Sequence, residues 1–243
     1  MSALVSGESV AGGVDDSFDM SLTQIEDMDP SIVDGFKLIY DREVPLEIRS
    51  KMSESDDARQ GQLESIKVKM LILGPESAPQ CIRLELSSEA DLFFAFMHKI
   101  DDAGYRNVQN AQKLMVEFAD YPNVLIRMLN AIIREPHVHL GIFTMVNDAS
   151  EAHLDFIQNM EYKFVELMTC AFTRSPEDVV QHQITYRYNA VKQRLAIMQA
   201  RLFEINNLVK TKNPSLLLHL QKNVGDTSKS PAISHSHSSP ARR

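Results

Sequence analysis

The chain has 243 residues, 44% of them apolar, and a formal net charge of −8: the composition of a folded protein with one core and appendages. Two distant cysteines, Cys81 and Cys170, make no disulfide framework and point to a reducing compartment. No apolar run approaches the roughly 20 residues that span a bilayer and no signal peptide opens the chain, so a soluble cytoplasmic protein without a membrane partner is expected.

Residues 1–34 contain no Lys or Arg but eight acids, Glu8, Asp15, Asp16, Asp19, Glu26, Asp27, Asp29 and Asp34. That segment carries the whole net charge and reads as a disordered acidic tail. The rest is balanced and shows no basic face beyond a slightly basic end at "ARR", which argues against nucleic acid.

The folded part begins with two extended runs, Phe36–Tyr40 and Val44–Arg49, the second alternating Val44, Leu46 and Ile48 as a half-buried strand does. A polar loop follows, "MSESDDARQGQ". Ile66, Val68, Met70 and Ile72 then alternate up to Gly74–Pro75, and Ile82, Leu84 and Leu86 alternate next. "DLFFAFMHKI" is a continuous apolar run, the pattern of a strand buried on both faces. Short connections favour antiparallel pairing.

Helical spacing replaces alternation at "DDAGYRNVQNAQK", behind Asp residues suited to cap it. It returns at "YPNVLIRMLNAIIREP", where Pro122 fits the first turn, Leu125, Met128, Leu129 and Ile132 form a stripe, and Pro136 stops it. Strands resume at "HVHLGIFTMV" and in "DFIQNMEYKFVELMTCAF". The expected head, residues 35–175, is therefore α+β: a small antiparallel β barrel or sandwich with a two-helix insertion. The tip of its last hairpin, "QNMEYK", places Met160 and Tyr162 where Asn, Gly, Asp or Ser is usual.

Ser175, Pro176 and the acids after them open a long helix, 176–212. In it Ile184, Tyr188, Val191, Leu195, Met198, Leu202, Ile205 and Val209 recur at spacings of 4 and 3, the seam of a coiled coil. An amphipathic helix packed on its own head is the alternative. Pro214 ends the helix, "LLLHL" is a short apolar remnant suited to docking, and residues 213–243 read as a mostly disordered tail with Ser-Pro pairs at Ser230 and Ser239.

Motifs of catalysis and cofactor binding are missing: no glycine-rich phosphate loop, no Gly-x-Ser-x-Gly, no His-Glu-x-x-His. His137 and His139 lack a third ligand and read as strand-edge histidines. Cys81 and Cys170 read as core residues, and Glu89, Asp91, Asp101 and Asp102 as turn and cap residues. The expectation is a non-enzyme without cofactor or metal, built for assembly.

In order, Val44–Leu46, Ile82–Leu84 with its acidic turn, Phe93–Phe94, Leu114–Phe118 and Tyr121–Pro122 resemble the head domain of the centriolar cartwheel family, spindle assembly abnormal protein six. The resemblance runs from about Leu38 to about Thr173, and the heptad helix follows where the family begins its coiled coil. It implies a self-assembling scaffold of the centriole, basal body or flagellar base that pairs head to head and through a parallel coiled coil, with other centriolar proteins as partners. Two separate two-fold contacts build chains or closed rings. The resemblance also puts Tyr162 at the family's inserted knob, flanked by Met160; from the local sequence alone, a tyrosine lying across its own hairpin fits as well. The coil, about three and a half heptads, is short for the family and matches its short six-like paralogues or a fragment. Two other classes stay open: a DNA end-joining scaffold, which shares head and coil but would carry more basic charge, and an enzyme with an unrecognised site.

Overall fold

The computed structural model describes residues 24–25, 27–51, 61–146, 150–212 and 214–215. Seven strands close into a barrel in the order β1-β2-β3-β4-β7-β6-β5: β1 (Phe36–Lys51), β2 (Gln62–Leu73), β3 (Cys81–Ser88), β4 (Ala95–Asp101), β5 (His139–Val146), β6 (Glu151–Met160) and β7 (Lys163–Arg174). Neighbours are antiparallel except β1 and β5, which pair in parallel over Glu47–Lys51 and close the ring. Two helices connect β4 to β5, α1 (Asp102–Gln112) and α2 (Tyr121–Arg134), and α3 (Glu177–Lys212) follows β7.

The alternating residues of β1 to β3 face inward as their period requires: Val44, Leu46, Ile66, Val68, Met70, Ile82 and Leu84 are fully buried. Phe94, Phe96, Phe143 and Phe172 meet edge to face across the barrel at centroid distances of 5.0 to 5.6 Å, an arrangement that adds to their area burial. Tyr105 of α1 and Tyr121, Leu125, Leu129 and Ile132 of α2 complete the same core. Asp101 caps α1 by accepting from the Gly104 N–H at 2.8 Å, and Pro122 lies in the first turn of α2. Cys81 and Cys170 are buried. The Tyr121 hydroxyl sits 3.3 Å from Cys170 Sγ, and burial pushes the Cys170 thiol up to about 12.

Four expectations are corrected. The two runs at Phe36–Tyr40 and Val44–Arg49 are one strand, bent by a bulge between Leu38 and Tyr40. Its central polar residues stay extended because β2 pairs with them and Lys67 bridges Asp41 at 2.5 Å. Pro45 is tolerated because β5 joins β1 only from Glu47 onward. Second, "DLFFAFMHKI" is not buried on both faces. The strand starts at Ala95, alternates buried and exposed residues, and leaves Leu92 and Phe93 exposed in the loop before it. Third, the acidic tail does not run disordered to residue 34. Ile25 is buried, and Asp29 caps a short 3-10 segment, Pro30–Gly35, that packs on β1 and β2 and bonds through Ser31 to Arg83 and Glu85 of β3. Fourth, His137 lies in the turn ahead of β5, so it does not share a strand face with His139. The remaining acidic residues up to 23, "LLLHL", Ser230 and Ser239 lie outside the described residues.

A compact unit runs from Leu22 to Ala190 and includes the first turns of α3. Val180 and Ala190 are buried. Gln183 donates to Glu85 at 3.3 Å, and the Arg187 guanidinium donates to the Ser88 and Leu92 carbonyls at 3.1 and 3.3 Å. Burial lowers the pKa of Arg187 and Glu89 opposes that shift.

Candidate assembly site

Beyond Gln158, the last residue of β6 paired with β5, the β6–β7 hairpin continues without a third strand. Its root is hooked to the turn before β5: the Asn159 N–H donates to the Val138 carbonyl at 2.7 Å, and its amide Nδ2 to the His137 carbonyl at 3.2 Å. Met160 pairs with Lys163, so the loop is only Glu161–Tyr162. Two-residue hairpin loops usually need a left-handed residue, yet neither loop residue has a positive φ. At this tip Tyr162 is 93% exposed, Phe164 65% and Met160 48%. An isolated exposed apolar residue is ordinary; here three lie at the end of one braced hairpin, Tyr162 in the loop with Met160 and Phe164 on opposite faces beside it, a concentration of exposed apolar surface that makes the tip a candidate contact site. The sequence singles out Met160 and Tyr162 at this tip but gives no sign of the exposure of Phe164, which stands in a run that reads as plain strand.

Side chains brace the same hairpin along the outer edge of β7. β4 pairs with β7 only at Phe96–Arg174 and Met97–Thr173, which leaves most of that edge without a strand partner. Gln112, at the end of α1, substitutes for one: its Oε1 accepts from the Thr169 N–H at 2.9 Å and its Nε2 donates to the Thr169 carbonyl at 2.7 Å. His98 of β4 adds a bond from Nδ1–H to the Ala171 carbonyl at 2.7 Å. These bonds end at Thr169, several residues short of the tip. On the other side of β7, toward β6, Asp155 accepts from Thr169 Oγ1 at 2.7 Å; its pKa is raised chiefly by burial, against the lowering effect of that bond and of His153.

Two depressions have apolar walls, and one of them has room for a bulky side chain. One, of about 380 Å³, lies between β1–β2 and the start of α2; Leu38, Ile39, Ile72, Pro122 and Ile126 line it, with Glu76 and Asn123 supplying polar atoms. The other, beside the hairpin, is only about 10 Å³, filled by Met128, Ile157 and Leu167 among others. No cluster of side chains able to hold a metal ion is present among the described residues.

All eight heptad residues lie on α3. Tyr188, Val191, Leu195, Met198, Leu202 and Ile205 are exposed, and Ile184 and Val209 are partly so. At 3.6 residues per turn, the face of Val180, Gln183, Arg187 and Ala190 that meets the head is rotated by roughly 100° from Ile184 and Tyr188. Docking of the first turns therefore leaves the seam uncovered. Phe203 and Leu208 are exposed beside it.

A family model described as the centriolar protein SAS N-terminal domain matches residues 38–172. Among solved structures, an N-terminal fragment of Leishmania SAS-6 that contains parts of its coiled-coil domain is 17% identical, with a TM-score of 0.59, over 75% of this chain and 99% of that one. An N-terminal fragment of Drosophila melanogaster Sas-6, dimerised via the coiled-coil domain, is 12% identical, with a TM-score of 0.61, over 83% and 98%. An N-terminal coiled-coil dimer of C. elegans SAS-6 is 12% identical, with a TM-score of 0.53, over 72% and 99%. A comparison with curated proteins found no match. The solved structures share the fold, and the family model, which spans more than half of the sequence, shows that this chain belongs to the centriolar SAS protein family.

Proposed function

We propose that the chain is a self-assembling scaffold of the centriole or basal body, of the cartwheel type, in which copies join through two separate contacts. The observation that carries this is the pair of uncovered apolar surfaces on different elements: the braced tip at Tyr162 and the α3 seam from Ile184 to Val209. A protein with two self-complementary surfaces propagates into chains or rings. The Drosophila and C. elegans fragments, dimeric through their coiled coils, support the second contact.

In the head-to-head contact Tyr162 is the knob, flanked by Met160 and Phe164, and the cleft between β1–β2 and α2 is its receptor on the second copy. The cleft has apolar walls at Leu38, Ile39, Ile72, Pro122 and Ile126, polar groups beside them, and room for an aromatic ring. Glu76 and Asn123 give the hydroxyl acceptors, without which its burial would cost about 1–3 kcal/mol. Tyr162→Glu forces a charge into that cleft, and Ile126→Glu does the same from the other side. Each is expected to abolish the contact, while Tyr162→Phe preserves it. Self-association that persists in Ile126→Glu but not in Tyr162→Glu would move the receptor elsewhere.

In the coil, α3 pairs in parallel with a second copy. Its a positions hold Tyr188, Leu195, Leu202 and Val209, and its d positions Ile184, Val191, Met198 and Ile205. Leu at a with β-branched residues at d favours bundles of more than two strands. The head on the adjacent face of the first turns opposes a third helix there, which favours a dimer in the full chain. Tagged protein is expected in foci at the centriole or basal body. Nuclear foci after DNA damage would contradict the reading and favour an end-joining scaffold.

A further inference from the structure

The residues ahead of β1 fall outside the part matched by the family model. Their sequence is acidic and poor in large apolar residues, yet they end in a network of buried charge. Asp29 accepts from the Ser31 N–H at 2.9 Å, and its other oxygen pairs with Lys69 of β2. Ser31 donates its hydroxyl to Glu85 of β3 at 2.6 Å, and its carbonyl accepts from Arg83. Arg83 lies 2.9 Å from Glu85 and stacks 4.1 Å from the ring centre of Phe36. Lys69, Arg83 and Glu85 occupy the outer face of the barrel, because the residues alternating with them, Val68, Met70, Ile82 and Leu84, fill its interior.

Two residues of α3 reach into the same network. Glu85 Oε2, which holds Ser31, also accepts from Gln183. The Ile25 carbonyl accepts from the Tyr186 hydroxyl at 3.2 Å, and Lys69, which holds Asp29, stands 5.7 Å from the centre of the Tyr186 ring. Glu85 and Lys69 are thus shared between the N-terminal segment and the helix. Removing one partner of a buried ion pair costs more than its surface equivalent, because the other charge stays buried and unpaired. Loss of the segment would leave Lys69 and Arg83 short of partners at the surface on which the helix rests.

We infer that the outer face of β2 and β3, together with the first turns of α3, is a binding groove for an acidic segment with an apolar anchor. Ile25 and residues 27–35 fill it in cis, and filling it locks those turns of the helix onto the head. The segment is a strap across the root of the coil, and its release frees the helix.

The test is hydrogen exchange read by mass spectrometry on the full chain, in a Leu195→Glu, Leu202→Glu background so that pairing of coils does not mask the helix. Asp29→Lys and Lys69→Asp, each alone, are expected to speed exchange of residues 27–35 and of residues 178–190 by about tenfold or more, with β5 and β6 unchanged. Combining the two restores the pair with reversed charge and returns both regions toward the parent rate. Faster exchange of the strap alone, with the helix still protected, would overturn the inference. If a charge variant loosens the whole head, Tyr186→Phe decides instead, since it removes only the hydroxyl that holds Ile25: faster exchange at 27–35 supports the coupling, and no change refutes it. These readouts lie within one chain, so they stand or fall independently of the proposed self-assembly.

Discussion

The barrel and the distal part of α3 treat similar residues in opposite ways. Phe143, Leu125 and Leu129 sit in a core that seven strands and two helices close around them. Leu195, Leu202 and Phe203, equally apolar, stay largely exposed on the helix. An apolar side chain stabilises in proportion to the area it removes from water, so the barrel stabilises itself while the helix gains most of its stability only when a second surface covers it. The lesson is that candidate assembly surfaces are recognised by where apolar area is left uncovered, here the hairpin tip and one face of α3, while the core of the head is internally complete.

The largest expected effect breaks the first half of that contrast. Phe143→Ala should destabilise the head by about 3–5 kcal/mol, because it empties the centre of the four-ring cluster; chemical denaturation followed by circular dichroism measures this. Leu202→Ala, by contrast, should leave the head's unfolding midpoint within experimental error. Equal losses at the two positions would mean that the helix seam is covered within a single chain.

Next in size is the second half of the contrast. Leu195→Glu with Leu202→Glu should leave the head's unfolding unchanged and remove the coil-mediated association, since charges at a positions cannot be desolvated in the seam. A chain that associates as before would show that α3 is an amphipathic helix with no partner helix.

A smaller effect concerns the seam where β4 leaves β7. Burial of His98 lowers its pKa, although the bond to Ala171 acts in the opposite sense. The folded head therefore holds His98 neutral, while the unfolded chain takes up its proton near the ordinary value of about 6.5. The unfolded state binds more protons below that pH, so folding stability is fully present above it and falls as the pH drops from 6.5 toward the lowered folded pKa. Denaturation midpoints measured between pH 7 and pH 5 should show this decline. His98→Leu should flatten it, at a cost of about 1 kcal/mol for the lost hydrogen bond.

Much of this architecture was legible in the sequence, for reasons that differ from element to element. Alternation exposed β1 to β3 because each has one face in the barrel and one face outside. The stripe of Leu125, Leu129 and Ile132 exposed α2, and the regular apolar spacing from Ile184 to Val209 exposed α3. The strap was hidden: nothing in "IEDMDPSIVDG" shows that Asp29 and Ser31 have partners forty and fifty-four residues away, and composition alone makes such a segment look solvated. The role of Gln112 was equally hidden, because an amide that replaces a strand partner for Thr169 leaves no periodic trace. Tyr162 was conspicuous only because a turn rarely carries so large a ring. Phe164, two residues on, is a strand residue, and because strands are rich in phenylalanine nothing in the sequence marks its side chain as exposed.

The central claim is that the full chain associates through two independent surfaces, and sedimentation equilibrium over a wide concentration range tests it most directly. The unsubstituted chain should pass from dimers to larger species as concentration rises. Tyr162→Glu alone and Leu195→Glu with Leu202→Glu should each stop at a dimer, held by the coil and by the heads respectively, and the three substitutions together should give a monomer at every concentration. A triple variant that still dimerises, or a Tyr162→Glu chain that still forms species larger than dimers, would contradict the account.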